Sequence, residues 1–288
     1  MTKFLTELIT DETNILDLSH STIISNEEKK KILDLRCTSK EMVNVYIKSL
    51  YYNNLVWYYF KKDYDNYEYP FHMIDELLGM FLCKKRELTT LDYKISKVDE
   101  TYGLASENFK TDKYNYHTFN SLIGGPLDGD KSYNIDLLKL ICVDDKNEEK
   151  LLKHMFELFA IDIIMLQKDR CGVNLQFQID KQTNELDLAP IYDFSNCYKK
   201  INKESKKIWN LKNVIYDLNE INIKKLLEQY PMFKEELDFY LEQNLLKVWD
   251  EICKYYNLNQ DCSENERVKD YLEIKQKSIN ENIRQLVK

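Results

Sequence analysis

Three polar residues near the middle of the chain have side chains that could bind a divalent metal ion. Asp169 and Asn174 stand five positions apart, directly after the apolar run from Phe159 to Leu166, and Asp193 follows nineteen residues after Asn174. Carboxylate and amide oxygens are ligands that Mg²⁺ accepts in nucleotide sites. The pattern therefore indicates a site for a metal-bound nucleotide, against the simpler alternative of a solvated loop.

The spacing of these residues fits the transfer of a phosphoryl group from ATP. That reaction needs a cation on the phosphates, a carboxylate near the acceptor hydroxyl and two groups that hold Mg²⁺. In the protein-kinase pattern the carboxylate precedes a metal-binding Asn by five residues, and a metal-binding Asp follows on the next hairpin. An Asp-x₄-Asn pattern alone carries little information here, but the segment "LAPIYDF" ends with Asp193 and Phe194 at the expected distance.

At these segments the sequence resembles the HipA-like kinases, serine/threonine kinases best known as toxins of bacterial toxin–antitoxin pairs. That family has an "N-x-D-x-H-x-x-N-x-x-F" loop and an "L-x-P-x-Y/F-D" strand, and the corresponding segments here are "QKDRCGVNLQF" and "LAPIYDF". "YYFKKD" and "YGLASENF" in the first part of the chain also resemble segments of the family. The resemblance covers roughly residues 40–200, and the C-terminal helices match in type alone.

The resemblance implies a role for each matching residue. Asp169 would be the catalytic base that orients the acceptor hydroxyl, and Asn174 and Asp193 would hold Mg²⁺. Lys61 would contact the α- and β-phosphates of ATP from the third strand, although strand alternation leaves Lys62 open as the alternative. ATP and Mg²⁺ are therefore the expected cofactors.

Two further parts of an ATP site are marked by weaker patterns. Glu76, inside an apolar helix, would pair with the lysine, whereas an alignment on the downstream strand would place His72 there. No glycine-rich phosphate loop precedes the first strand. Ser39 and Lys40 in "RCTSKEM" could bind phosphates instead, and Ser39 would match the serine that the family autophosphorylates; an ordinary turn or capping serine is the alternative.

The sequence departs from the family pattern at Cys171, where the family has His, and at Gln167, where Asn is common. These departures keep three classes of function open. The first is an ATP- and Mg²⁺-dependent serine/threonine protein kinase, which could also autophosphorylate. The second is a pseudokinase that binds nucleotide as a regulatory module, and the third is a kinase of small molecules or lipids. Asp162, an acid within the apolar run, is expected to hydrogen-bond backbone near Asp169, because a buried acid needs a partner.

Hydrophobic periodicity predicts the elements that position these residues. Strands over 43–50 and 55–61 would form a hairpin around "YYNN", and a helix would follow near Phe71. Two more strands are expected around a turn near Asp99. A helix over 150–168 would lead into the Asp169 loop.

The second half of the chain is expected to be mainly helical. One strand pair around a turn at 182–185 would lead to Asp193, and helices are predicted over 218–229, 232–256 and 264–287. The fold class is therefore α+β: a bilobal, protein-kinase-like fold with a small β-rich N-lobe that contains one helix and a larger, mainly helical C-lobe. The expected division is 1–112 for the N-terminal lobe and 113–288 for the C-terminal lobe.

Composition excludes several classes of function. The net charge of −8 and a pI of about 5.3 argue against direct nucleic-acid binding, which needs clustered Lys and Arg. The seven cysteines have no zinc-ligand spacing. No signal-peptide core or apolar membrane span is present, so we expect a cytoplasmic protein. The expected partners are a protein substrate that carries Ser or Thr and, from the family, an antitoxin or regulator.

Overall fold

The structure is a computed structural model that describes residues 4–23, 48–53, 56–63, 71–86, 88–122, 135, 139–167, 170, 175–194 and 220–283. Of the predicted site residues, Lys61, Glu76 and Asp193 lie within these ranges. Asp169, Asn174, Ser39 and Lys40 lie outside the described residues.

A six-stranded sheet is built from the first part of the chain. Its strands are β1 (Leu16–Asp17), β2 (Thr22–Ile23), β3 (Lys48–Asn53), β4 (Val56–Lys62), β5 (Tyr93–Val98) and β6 (Thr101–Glu107). Their order is β1-β5-β6-β4-β3-β2, and the neighbours are antiparallel except for the parallel pair β1 and β5. The strand β4 is therefore interior, and it holds Lys61 opposite Leu104 of β6.

The predicted hairpin exists, but its strands are placed differently from the prediction. Tyr51, Tyr52 and Asn53 pair with residues of β4, so the expectation that "YYNN" forms the turn was wrong. Tyrosines favour extended, paired backbone, which extends β3 through Asn53. The second predicted pair, β5 and β6, is confirmed, and Asp99 lies in its turn with a left-handed φ of 51°.

The helix predicted near Phe71 is confirmed as α2 (His72–Lys84), which follows the short helix α1 (Phe4–Leu8). Ile74, Leu77 and Leu78 of α2 are fully buried. The burial extends around most of the helix and includes Asp75 and Glu76. Because buried charges are costly unless they are paired, both acids must have partners.

A second sheet carries the segment that leads to Asp193. It contains β7 (Tyr114–Thr118), β8 (Gln176–Asp180) and β9 (Leu186–Leu188), in the order β7-β8-β9. The β8–β9 pair is the predicted one. The strand β7 was not predicted, because its side chains are half-buried or exposed and show no alternation; it is a strand through its pairing with β8.

Between β7 and β8 the described residues include the short helix α3 (Phe119–Leu122) and the long helix α4 (Asp145–Met165). The side chain of Asp144 caps the start of α4 by accepting from the Asn147 N–H at 2.7 Å. At its end Leu166 turns left-handed, with a φ of 55°, and the Gln167 N–H donates to the Asp162 carbonyl. This cap ends the apolar helix directly before residues 168–174.

Residues 220–283 contain four helices: α5 (Glu220–Gln229), α6 (Pro231–Leu241), α7 (Leu245–Tyr256) and α8 (Ser263–Asn282). The prediction of one helix over 232–256 was wrong. The side chain of Asn244 accepts from the Lys247 N–H at 3.1 Å, so Asn244 starts a new helix at that point. In the described part of the chain, no helix has both the length and the apolar character needed to cross a membrane.

Among the described residues, these elements confirm an α+β protein with two sheets and with helices over most of residues 220–283. The strands β6 and β7, on either side of residue 112, belong to different sheets. The division into lobes at residues 112 and 113 stays a prediction.

Candidate functional site

The ammonium group of Lys61 lies between two carboxylates that come from distant parts of the chain. Its Nζ is 2.6 Å from Oε1 of Glu76 on α2 and 3.1 Å from Oδ1 of Asp193, which follows β9. The exposed fraction is 8% for the Lys61 side chain, 0% for Glu76 and 18% for Asp193. Asp193 is therefore the side chain of the three that is most open to solvent.

Glu76 is held by partners on both of its oxygens. Oε1 accepts from Lys61, while Oε2 accepts from the Tyr93 hydroxyl at 3.0 Å and from the Phe194 N–H at 3.0 Å. Tyr93 belongs to β5, and its own carbonyl accepts from the Tyr256 hydroxyl of α7. The carboxylate of Glu76 thus connects two strands of the first sheet with the segment after β9.

The segment after β9 is fixed by backbone contacts on both sides of Asp193. The Ile191 N–H donates to the Thr89 carbonyl, and the Ile191 carbonyl accepts from the Leu91 N–H and from the Thr90 hydroxyl. The Gln167 amide donates to the Asp193 carbonyl at 2.7 Å. Asp193 itself has a left-handed φ of 64°, a conformation that costs a non-glycine residue free energy and is common at functional sites.

Phe194 packs its ring against α2 where that helix has no side chain. A Cβ added to Gly79 would lie 2.2 Å from the Phe194 ring, so glycine is required for this contact. On another side, the Arg170 guanidinium lies 4.7 Å from the centroid of the same ring. Phe194 is fully buried, and it therefore anchors the backbone that presents Asp193.

Arg170 joins the predicted catalytic loop to the Asp193 segment. Its guanidinium donates to the Tyr192 carbonyl at 2.7 Å and to the carboxylate of Asp162, with the closest atoms 2.8 Å apart. Both side chains of this ion pair are fully buried. Asp162 was expected to hydrogen-bond backbone near Asp169. In the structure its carboxylate accepts from the guanidinium of Arg170, the residue after Asp169.

The charges of the site keep Lys61 protonated. Burial would lower the pKa of the Lys61 ammonium, but the negative charges of Asp193 and Glu76 outweigh burial and raise that pKa. Burial also raises the pKa of the Tyr93 hydroxyl, and the charge of Glu76 raises it further, so Tyr93 remains a neutral donor. The site is a positive group fixed against one buried and one partly open negative group.

The alternatives that the sequence left open are placed elsewhere. Lys62 is exposed, on the opposite side of β4 from Lys61. His72 lies in the first turn of α2, with its Nε2 3.8 Å from Oδ1 of Asp63. Asp63 also accepts from the Leu5 N–H at the start of α1. Glu76, and not His72, therefore contacts Lys61.

The donor set suits a nucleotide with its metal ion. A lysine ammonium can bind phosphate oxygens, and the Asp193 carboxylate is a hard oxygen ligand of the kind that Mg²⁺ prefers. Among the described residues, no group of three or more His, Cys, Asp and Glu forms a metal-ligand cluster.

Sequence reasoning gave no role to Tyr93, Phe194, Gly79 and Arg170. A signal for Arg170 was present, because a buried acid such as Asp162 needs a cation and Arg170 is eight residues away. For Tyr93 no local pattern exists, since its hydroxyl meets Glu76 through tertiary packing.

Comparisons with known proteins identify the fold. No family model and no curated protein matches the sequence. Several solved structures are similar, among them the following two. The Helicobacter pylori proinflammatory kinase CtkA is 16% identical over 76% of this chain and 68% of its own, with a TM-score of 0.44. A chain of the Shewanella oneidensis MR-1 toxin–antitoxin complex of HipA, HipB and operator DNA is 11% identical over 95% of this chain and 74% of its own, with a TM-score of 0.60.

The second comparison covers nearly the whole chain. The chain therefore has the kinase-like fold of HipA, as the sequence resemblance implied.

Proposed function

We propose that this chain is an ATP- and Mg²⁺-dependent protein kinase of the HipA type, which transfers the γ-phosphate to a serine or threonine hydroxyl. The observation that carries the proposal is the contact of one buried lysine with both Glu76 and Asp193. Protein kinases require a strand lysine paired with a helix glutamate, beside an aspartate for the metal. A kinase-like fold that places these three residue types together supports this reaction.

Each described residue would have a separate task. Lys61 would hold the α- and β-phosphates, and Glu76 would fix the direction of its ammonium. Asp193, with its partly open carboxylate, would hold Mg²⁺. Bound Mg²⁺ neutralises charge on the phosphates. Because the site is preorganised by buried contacts, most of the catalytic effect would come from positioning and charge stabilisation.

Asp169 and Asn174 complete the proposal from outside the described residues. They stand in the sequence between Gln167 and Leu175, and both of these flanking residues are buried. Gln167 contacts the Asp193 carbonyl, and Arg170 contacts the carbonyl of Tyr192. These contacts support a position of Asp169 near the acceptor hydroxyl and of Asn174 near Mg²⁺. Ser39 and Lys40 keep their proposed role at the phosphates.

The test is incubation of purified protein with Mg²⁺ and γ-labelled ATP, with and without a serine- and threonine-rich acceptor such as casein. Wild type is compared with Asp193→Asn and Asp169→Asn. We expect label on the chain or on the acceptor, lost in both variants, and mass spectrometry would identify the modified residue. Label transferred to small acceptors or lipids alone would contradict the protein-kinase proposal.

Binding without transfer is measured in parallel by thermal unfolding with Mg·ATP. A shift that disappears in Asp193→Asn, without any label, would favour the nucleotide-binding pseudokinase. The absence of both label and shift would contradict the nucleotide site itself.

A partner protein is part of the same proposal. The Shewanella HipA chain was solved with HipB and operator DNA. We propose that this chain likewise binds a protein antitoxin or regulator, and that its acidic surface does not bind nucleic acid directly. Size-exclusion chromatography with candidate regulators, and with DNA as the control, tests this statement.

A further inference from the structure

Asp75, the residue before Glu76, belongs to a second buried ionic group. Its carboxylate accepts from Nζ of Lys275 at 2.9 Å and from the hydroxyl of Tyr271 at 2.9 and 3.0 Å. Lys275 also lies 3.1 Å from the Tyr271 oxygen. Tyr271 and Lys275 are one turn apart on α8, so a single face of the C-terminal helix supplies both donors to α2.

The charged side chains of this group are almost completely shielded from water. The side chain of Lys275 is 0% exposed and that of Asp75 is 3% exposed. Burial raises the pKa of Asp75, although Lys275 and Tyr271 act in the opposite direction. Removing two charges from water costs as much free energy as their attraction returns, so such pairs add little net stability. Their best-attested use is to fix one arrangement of packed elements.

The helix α8 also contacts the start of α2. The rings of Phe71 and Tyr271 are stacked, with centroids 4.1 Å apart and an interplanar angle of 8°. Neighbouring helix residues project about 100° apart, so Asp75 faces α8 while Glu76 faces Lys61 and Phe194. A rotation of α2 that moved Asp75 away from Lys275 would also move Glu76 away from its partners.

We propose that Asp75, Tyr271 and Lys275 are positioning residues that fix the rotation of α2 and thereby hold Glu76 against Lys61 and the Phe194 amide. Their effect on phosphoryl transfer rests on the proposed function. Their effect on the Phe194 amide does not, because that hydrogen bond is present in the protein without any ligand.

The test uses a variant that removes both charges at nearly unchanged volume, Asp75→Asn with Lys275→Met. Replacing both partners of a buried pair is usually tolerated, whereas removal of one partner leaves a buried charge. Tyr271→Phe is the milder second variant, since it keeps the stacking on Phe71. Lys277→Met is the matched control, because Lys277 lies on the same helix with its side chain 77% exposed.

Two readouts are measured on protein that unfolds cooperatively: hydrogen exchange of the Phe194 amide without nucleotide, and the kcat and KM for ATP. In the double variant we expect about tenfold faster exchange and about tenfold lower kcat with a smaller change in KM, in the range of coupling effects through packed networks. Tyr271→Phe should act in the same direction to a lesser extent, and Lys277→Met should match wild type.

Wild-type exchange and wild-type kcat in the folded double variant would overturn the proposal. If that variant does not fold, the same two readouts on Tyr271→Phe decide in its place. If wild type transfers no phosphate, the proposed function fails, and the exchange rate of Phe194 alone decides whether the three residues position Glu76.

Discussion

A lysine that is almost completely buried defines the site at the scale of single residues. Its charge is retained because Glu76 and Asp193 both lie within 3.1 Å of Nζ, whereas burial alone would lower the pKa of the ammonium. Burial of an ammonium costs free energy, so a buried charge of this kind is expected to have a function besides stability. In the proposed function, this charge would bind the α- and β-phosphates of ATP.

Lys61→Met should abolish the binding of phosphates by this side chain while leaving the adjacent Lys62 unaffected. We expect a loss of phosphoryl transfer of about a hundredfold or more, as for other groups that stabilise charge in the transition state. Transfer of label from γ-labelled ATP measures it. Lys62→Met is the control, because Lys62 is exposed on the same strand and should retain wild-type activity. Equal loss in both variants would show that strand β4, and not the Lys61 ammonium, is being disturbed.

Tyr93→Phe removes one hydroxyl from Glu76 and leaves the ion pair with Lys61. The hydrogen bond is buried and charge-assisted, so the free energy of unfolding should fall by about 1–3 kcal/mol. The kcat should fall less than in Lys61→Met, because two partners of Glu76 remain. Urea unfolding and label transfer measure the two effects. Tyr102 on β6 is the control, because its hydroxyl donates to the exposed Glu12. In Tyr102→Phe neither quantity should change appreciably.

At the scale of elements, α2 packs against the segment after β9 at Gly79, where the helix has no side chain. Gly79→Ala would normally stabilise a helix by about 0.5–1 kcal/mol. Here the new Cβ would meet the buried Phe194 ring at 2.2 Å, and overpacking costs about 1–3 kcal/mol. We therefore expect a lower free energy of unfolding and lower activity. Adding Phe194→Leu should relieve part of the loss of stability; a stable, fully active Gly79→Ala would contradict the packing.

The β8–β9 pair is attached to α4 through Asp187, and this contact should depend on pH. Oδ1 of Asp187 is 2.7 Å from Nδ1 of His154, and Oδ2 is 2.7 Å from Nζ of Lys150. Burial would raise the pKa of Asp187, but His154 and then Lys150 outweigh it, so the pKa lies below its ordinary value of 3.8. A lowered folded-state pKa contributes stability above the unfolded-state pKa, and that stability is lost as the pH falls through the folded-state pKa.

Asp187→Asn should therefore reduce the free energy of unfolding at pH 7, by about 1–2 kcal/mol for a lost charge-assisted hydrogen bond. The difference from wild type should shrink as the pH is lowered past 3.8 and continue to shrink below it. Urea unfolding across this pH range measures the effect. Asp238→Asn is the control, because Asp238 forms an exposed ion pair with Lys234 on α6 and should show little difference at any pH. A difference for Asp187→Asn that is constant with pH would contradict the assignment.

At the scale of the whole molecule, sequence patterns predicted the helices and strands better than the contacts between them. The helix α2 and the pair β5 and β6 followed from local periodicity. The family motifs pointed to Asp193, and to Lys61 and Glu76 with Lys62 and His72 as the respective alternatives. The boundary between α6 and α7 was missed because one capping residue, Asn244, interrupts an otherwise continuous helical pattern. The strand β7 was missed because pairing with β8, and not alternation, makes it a strand.

Other contacts between distant residues had no sequence signal. Asp75 and Lys275 are 200 positions apart, and Tyr93 meets Glu76 across a sheet and a helix. In the sequence each reads as an ordinary surface or core residue. Their roles depend on which helix faces are buried against each other, and local periodicity does not determine that pairing.

The helix α8 shows how far the fold depends on such distant contacts. It buries Val268, Leu272 and Ile279 completely, and each is worth about 1.5–3 kcal/mol. Their sum approaches the whole stability of a typical domain, about 5–15 kcal/mol. Asn265 of α8 also accepts from the Trp249 indole at 2.8 Å.

A chain that ends at Asp261 should therefore lose cooperative urea unfolding and its near-ultraviolet circular dichroism, since it exposes this core and leaves Asp75 without Lys275. A chain that ends at Ile283 retains these contacts and should match wild type, whereas a wild-type urea midpoint for the shorter chain would show that α8 is an appendage and not part of the core.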